Sequence, residues 1–130
     1  DMSEATVDAT RTRVPGVRTV ALLATTATLD AGLYPAAFEA RGIATVPVGG
    51  DQRERMMAAI YAIKRGDAAE GPRSQLAALA TEFVSDGAEV LIAACTEVPL
   101  VLREEDVSVP LIGSSEALAA AVVRAATRGT

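Results

Sequence analysis

The chain has 130 residues, half of them hydrophobic but only 3% aromatic, with a formal net charge of −5. That is about one domain's length, able to bury a sizeable core of small aliphatic side chains. An acidic balance without a basic cluster argues against nucleic acid or an anionic membrane as partner, and no apolar run approaches the roughly 20 residues that span a bilayer.

The segment "SEATVDATRTR" (3–13) reads as a helix, with Ser3 as its N-cap and acidic residues in the first turns. "VPGV" is a turn. "VRTVALLAT" (17–25) is apolar and β-branched without alternation, the pattern of a strand buried on both faces of a parallel sheet. "TTATLDAGLYPAAFEARG" (25–42) predicts a polar loop and then one helix, with Pro35 near its start and Gly42 at its end.

"IATVPV" (43–48) is a second strand and "GGD" a turn. "QRERMMAAIYAIKRG" (52–66) is helical, with Met56, Met57, Ile60 and Ile63 as its apolar stripe. "PRSQLAALATEFVSDGA" (72–88) predicts a further helix that ends at Gly87, and "EVLIAAC" (89–95) a third buried strand. "TEVPLVLREED" (96–106) starts as a helix and then turns. "VPLIG" (109–113) is a fourth strand, and "SSEALAAAVVRAATR" (114–128) a last helix capped by Ser114 or Ser115.

Strands alternating with helices imply an α/β fold, a four-stranded parallel sheet flanked by helices, in one domain over residues 1–130. Ligands of such folds sit beyond the carboxyl ends of the strands. Here those ends are "ATTAT" (24–28), "VGGDQ" (48–52), "CTE" (95–97) and "GSSE" (113–116), all polar or Gly-rich.

The chain has no histidine and a single cysteine, Cys95. Histidine triads and histidine-ligated metal sites are excluded, so acid–base chemistry near neutral pH falls to Cys, perturbed carboxylates, Lys or Tyr. One cysteine also excludes an internal disulfide, which fits a reducing, cytoplasmic setting. Cys95 closes the third strand where a helix starts, so unpaired N–H groups are expected to lower its pKa. Thr96 offers a hydroxyl, and Glu97 is placed to orient the thiol, relay its proton or complement the helix dipole. The alternative for an isolated cysteine is a buried, inert thiol. Thr25, Thr26 and Thr28 put three hydroxyls at the end of the first strand, suited to a carboxylate or phosphate, with one of them an ordinary N-cap. Lys64 is the only lysine among 12 basic residues. It is either a survivor of a bias toward arginine or a position that needs a compact ammonium. No Gly-rich phosphate loop supports a nucleotide.

"VALLATTATLDAGLY", "DQRERMMAAIYAIKRGD" and "GAEVLIAACTEVPLVL" followed by "VPLIGSSEALA" resemble the cofactor-independent aspartate/glutamate racemase superfamily, and most closely the second lobe of its aspartate racemases. The resemblance implies two similar α/β lobes around one active site. Each lobe gives one cysteine, one thiolate taking the α-proton and the other thiol protonating the opposite face, with neither pyridoxal phosphate nor metal. Residue by residue, it puts Cys95 on the second catalytic cysteine and Thr96 on its substrate-contacting neighbour. Thr25 and Thr28 fall on threonines that hold the substrate's carboxylate or ammonium, and Lys64 on the lysine that pairs with the distal carboxylate. Glu97 falls where glutamate racemases tend to carry histidine. Ala94 and Gly113 stand where the family usually has Gly and often has Asp.

The expected substrate is thus a small acidic amino acid. The match covers one lobe only, and "DMSEAT" resembles the join between lobes, so the chain is expected to need a missing N-terminal lobe or a homodimer partner. Two other readings stay open. One is a single-cysteine decarboxylase of the same superfamily, which calls for an apolar pocket near Cys95. The other is a non-catalytic lobe that binds a small acid or a partner.

Overall fold

A computed structural model describes residues 1–128. The four predicted strands form one sheet, in the order β2-β1-β3-β4, from β1 (Thr19–Leu23), β2 (Ala44–Thr45), β3 (Val90–Ala93) and β4 (Leu111–Gly113). Every pairing is parallel, with Leu23 opposite Ala93 and Ala93 opposite Gly113. The continuous apolar runs are explained by the layers. Alternate residues of a strand face opposite sides, and both sides of this sheet are covered.

One face carries Ala21, Leu23, Leu91 and Ala93 against Met56, Ile60, Leu76, Leu79 and Phe83. These last come from α4 (Gly50–Lys64) and α5 (Glu70–Ser85). The other face carries Val20, Leu22, Val90 and Ile92 against Val7, Tyr34 and Phe38, from α1 (Met2–Arg13) and α3 (Leu33–Glu39). Phe83 is fully buried, and truncation of such a side chain costs about 3–5 kcal/mol.

Several local expectations are corrected. The first helix is capped by Asp1, whose carboxylate accepts the Glu4 N–H, while Ser3 lies inside the helix and donates to Asp1 at 2.6 Å. The helix expected around Pro35 is α3, but the polar loop expected before it holds a helix of its own, α2 (Thr26–Ala31), separated from α3 by Gly32 in a left-handed conformation at φ 70°. The second strand keeps only two residues, since it lies at the sheet edge and pairs with β1 alone. α4 begins at Gly50, inside the expected turn, because the Gln52 side chain reaches back to accept the Gly49 N–H at 2.9 Å. The helix expected from residue 96 is one short turn, α6 (Val98–Val101), with Pro99 in its first positions, followed by a 3-10 turn at Glu104–Asp106. In α7 (Ser114–Arg128) Ser114 is a helical residue rather than the cap, and its buried hydroxyl oxygen has no hydrogen-bond partner.

Along α7 only Ser114 and Ala117 are buried, and Val122 and Val123 are exposed. Among the described residues no helix is long and apolar enough to cross a membrane.

Candidate functional site

The chain leaves β1 toward β2 on one side and reaches β3 on the other. This reversal makes a crevice at the carboxyl ends of β1 and β3, the usual ligand position in open parallel sheets. Beyond the last paired residues, Ala94 N–H donates to the Leu23 carbonyl at 3.0 Å. That bond holds the segment before Cys95 beside the segment before Thr25.

On the β1 side, Thr25 is the N-cap of α2. Its Oγ1 accepts the Thr28 N–H at 3.2 Å and donates to Thr28 Oγ1 at 3.1 Å. One of the three hydroxyls is therefore a cap, as the sequence suggests. Thr28 Oγ1 acts as acceptor in this pair, so its own hydrogen remains for a further partner. The turn is backed by two thioethers. Ala24 N–H donates to Met56 Sδ at 3.4 Å, and Thr26 N–H to Met57 Sδ at 3.3 Å. Arg53 reaches from α4 to Asp30 of α2 at 2.8 Å and pins the same helix.

On the β3 side, the strand parity that directs Leu91 and Ala93 toward α4 and α5 also directs Cys95 there, half-buried against that cluster, while Ala94 faces the opposite core. The thiol donates to Glu97 Oε2 at 3.2 Å, and Thr96 Oγ1 donates to the same oxygen at 2.9 Å. Burial pushes the Cys95 thiol up from its ordinary pKa. The N–H groups of Glu97 and Val98 pull the other way, but the Glu97 carboxylate adds to the rise through its hydrogen bond and its charge. The helix-end N–H groups expected from the sequence are present, yet the predicted lowering is reversed. The two donors, Cys95 and Thr96, and the positive charge of Lys64 hold Glu97 below the usual carboxylate range.

Lys64 is the last residue of α4 and is exposed. Arg53, Arg55 and Arg65 are paired with Asp30, Glu82 and Asp67. Among the described residues the Lys64 side chain makes no hydrogen bond or ion pair, and its charge acts on Glu97 across the gap. The fold thus brings Cys95, Thr96, Glu97 and Lys64 into one electrostatic group. The Thr25–Thr28 turn joins them through the Ala94–Leu23 bond.

The site is an open surface: Cys95, Thr25, Thr26 and Thr28 are half-buried, and Thr96 is exposed. A cavity of about 450 Å³ lies elsewhere, between α1, β4 and α7, where Arg13, Arg103, Glu104 and Glu116 reach it. None of the predicted site residues lines that cavity. Its lining also includes Pro99 and Ala93, so it borders the site from the β4 side. Among the described residues no group of three or more ligating side chains is arranged to hold a metal ion. Sequence reasoning missed the two methionines as supports of the turn. It placed them on an apolar stripe, and nothing local distinguishes a thioether that packs from one that also accepts an N–H.

The sequence model of the Asp/Glu/hydantoin racemase family matches residues 1–122. An uncharacterized protein from the pnlA 3' region of Pectobacterium carotovorum subsp. carotovorum is 37% identical over 86 residues, 66% of this chain and 57% of that protein. Among solved structures, an aspartate racemase homologue from Pyrococcus horikoshii OT3 superposes with a TM-score of 0.86 at 26% identity, over 98% of this chain and 55% of that one. The Picrophilus torridus aspartate racemase gives 0.81 at 28% identity, over 98% and 52%. The chain spans little more than half the length of each of these relatives.

Proposed function

The chain belongs to the Asp/Glu/hydantoin racemase family, and from that premise we propose that it is one lobe of a cofactor-independent racemase of a small acidic amino acid. Cys95 is its acid/base at the α-carbon. The observation that carries this reading is the position of Cys95. The one thiol of the chain stands at the reversal point of the sheet, beside a threonine turn and within the field of an unpaired lysine.

The division of labour follows from chemistry. An α-carbanion is poorly stabilised without a cofactor, so it needs aligned donors and a site closed to water. Thr28, with a hydrogen to give, and Thr26 supply donors for the α-carboxylate, and Thr96 Oγ1, whose hydrogen goes to Glu97, keeps lone pairs that accept from the ammonium. Lys64 supplies a point charge for a distal carboxylate, which favours a dicarboxylate over an aryl or alkenyl substrate. The half-open surface around Cys95 is closed by a second lobe or by a second copy of the chain, which brings the opposing acid/base.

The test is exchange of the α-proton of L- and D-aspartate in D2O, followed by proton NMR, alongside sedimentation of the same sample. Exchange that disappears in Cys95→Ala and weakens in KM for aspartate in Lys64→Met supports the reading. Exchange that survives Cys95→Ala overturns it. A strict monomer without exchange removes the homodimer form and requires the second lobe.

A further inference from the structure

We infer that Glu97 is a positioning residue that keeps the proton on Cys95, so that in the resting site this chain supplies the acid and a completing lobe of different sequence supplies the base, since a second copy would carry the same Glu97 beside its own thiol. The inference rests on the racemase reading and assigns direction to it.

The geometry carries it. Glu97 Oε2 accepts from the Cys95 thiol at 3.2 Å and from Thr96 Oγ1 at 2.9 Å. A contact of that length needs one proton between sulfur and oxygen, and the carboxyl, the stronger acid of the two, leaves it on sulfur. A thiolate in the same place would set two anions in hydrogen-bond contact, and like charges disfavour the second ionisation. Thr96 fixes the carboxylate oxygen, so Glu97 has a second anchor besides the thiol. The charged groups acting here are Glu97 itself and, from α4, Lys64. The hydrogen bonds from Cys95 and Thr96, with the charge of Lys64 added, hold Glu97 in its ionised form, which maintains the acceptor. At the start of α6 the Glu97 and Val98 N–H groups oppose retention of the proton, and burial works in the same direction as the Glu97 carboxylate.

The step balances as follows. A base of the thiolate class on the completing lobe takes the α-proton, and the electron pair stays on the α-carbon. The Cys95 S–H bond then breaks, its proton bonds to the α-carbon on the Cys95 face, and that bonding pair remains on sulfur. The resulting thiolate, beside an ionised Glu97, is a stronger base than an ordinary thiolate. It is therefore suited to abstract the α-proton of the opposite enantiomer in the reverse direction. Glu97 touches no reacting carbon; it acts through the sulfur.

The experiment is the pH profile of iodoacetamide alkylation of Cys95 by intact mass, with thiolate ultraviolet absorbance on the same samples. It compares the natural chain, Glu97→Gln, Glu97→Asp and Thr96→Val. The natural chain is expected to be a thiol at neutral pH, with its inflection above that of an unperturbed cysteine. Glu97→Gln keeps an acceptor oxygen but removes the charge, so the inflection moves to lower pH and alkylation at neutral pH becomes several-fold faster. Glu97→Asp and Thr96→Val keep the charge and stay nearer the natural profile.

An unmoved or raised inflection in Glu97→Gln overturns the inference. So does a thiolate at neutral pH in the natural chain, a result that needs no variant to fold. The titration requires no turnover. A shifted inflection without α-proton exchange once the completing lobe is present therefore sinks only the racemase reading, and exchange without a shift sinks only the assignment of the acid.

Discussion

Replacing Met56 by leucine separates packing from hydrogen bonding at the base of the site. Met56 is fully buried and Ala24 is 1% exposed, so no water reaches the Ala24 N–H once its Sδ partner at 3.4 Å is gone. The swap nearly conserves volume and by itself costs less than about 1.5 kcal/mol. The stranded N–H adds about 1–3 kcal/mol, toward the low end because a thioether is a weak acceptor. The expected loss is about 1.5–3 kcal/mol, or roughly 3–5 °C in melting temperature for each kcal/mol.

Met57→Leu is the matched control. It removes the same kind of bond from Thr26 N–H, but both residues are half-buried. Water replaces the sulfur there, and the loss stays near 0.5 kcal/mol. Urea unfolding gives the two stabilities, and amide exchange at Ala24 reports the local effect. Equal losses for the two variants, or unchanged exchange at Ala24 in Met56→Leu, would refute the claim that a sulfur acceptor holds this turn.

Three further outcomes are expected. Arg55 holds the Glu82 carboxyl down at about 2, below its ordinary 4.5. A folded-state pKa below the unfolded one adds stability above the unfolded value and loses it as pH falls from 4.5 toward 2. Urea midpoints of Glu82→Gln should therefore vary less with pH across that window than those of the natural chain, and equal slopes would contradict the pairing. Gly32→Ala should lose about 1–2 kcal/mol in thermal unfolding, because φ 70° there is left-handed. Gly113→Ala should gain about 0.4–1 kcal/mol, because its φ is ordinary and the nearest atoms to an added Cβ, in the Glu116 side chain, lie at 3.6 Å; a loss would mean that this strand end tolerates no side chain.

Much of the fold is legible because its causes are local. Val20 to Leu23 and Val90 to Ala93 are apolar without alternation since helices cover both faces of the sheet. The positions of α5 and α7 follow from periodicity and breakers that lie within the segments themselves. What the sequence misplaces depends on single conformations or distant partners. The threonine segment before Gly32 reads as a polar loop, and its short helix α2 depends on the Thr25 cap and on Arg53 reaching Asp30 from α4. The second strand shortens because an edge position leaves it one neighbour.

The site divides in the same way. By itself the sequence determined which groups are available: one thiol, no imidazole, one lysine, and threonines at a strand end. It also determined that the thiol and the threonines cluster, because a parallel sheet gathers its carboxyl ends. Tertiary structure alone decided how these groups are charged and who spends which hydrogen bond. A helix start lowers a thiol's pKa only if burial and neighbouring anions allow it, and here partial burial of the thiol and Glu97 Oε2 prevail. Solvation and charge separation are set by distances across the fold, such as that between Lys64 at the end of α4 and Glu97 before α6, and no spacing along the chain encodes them.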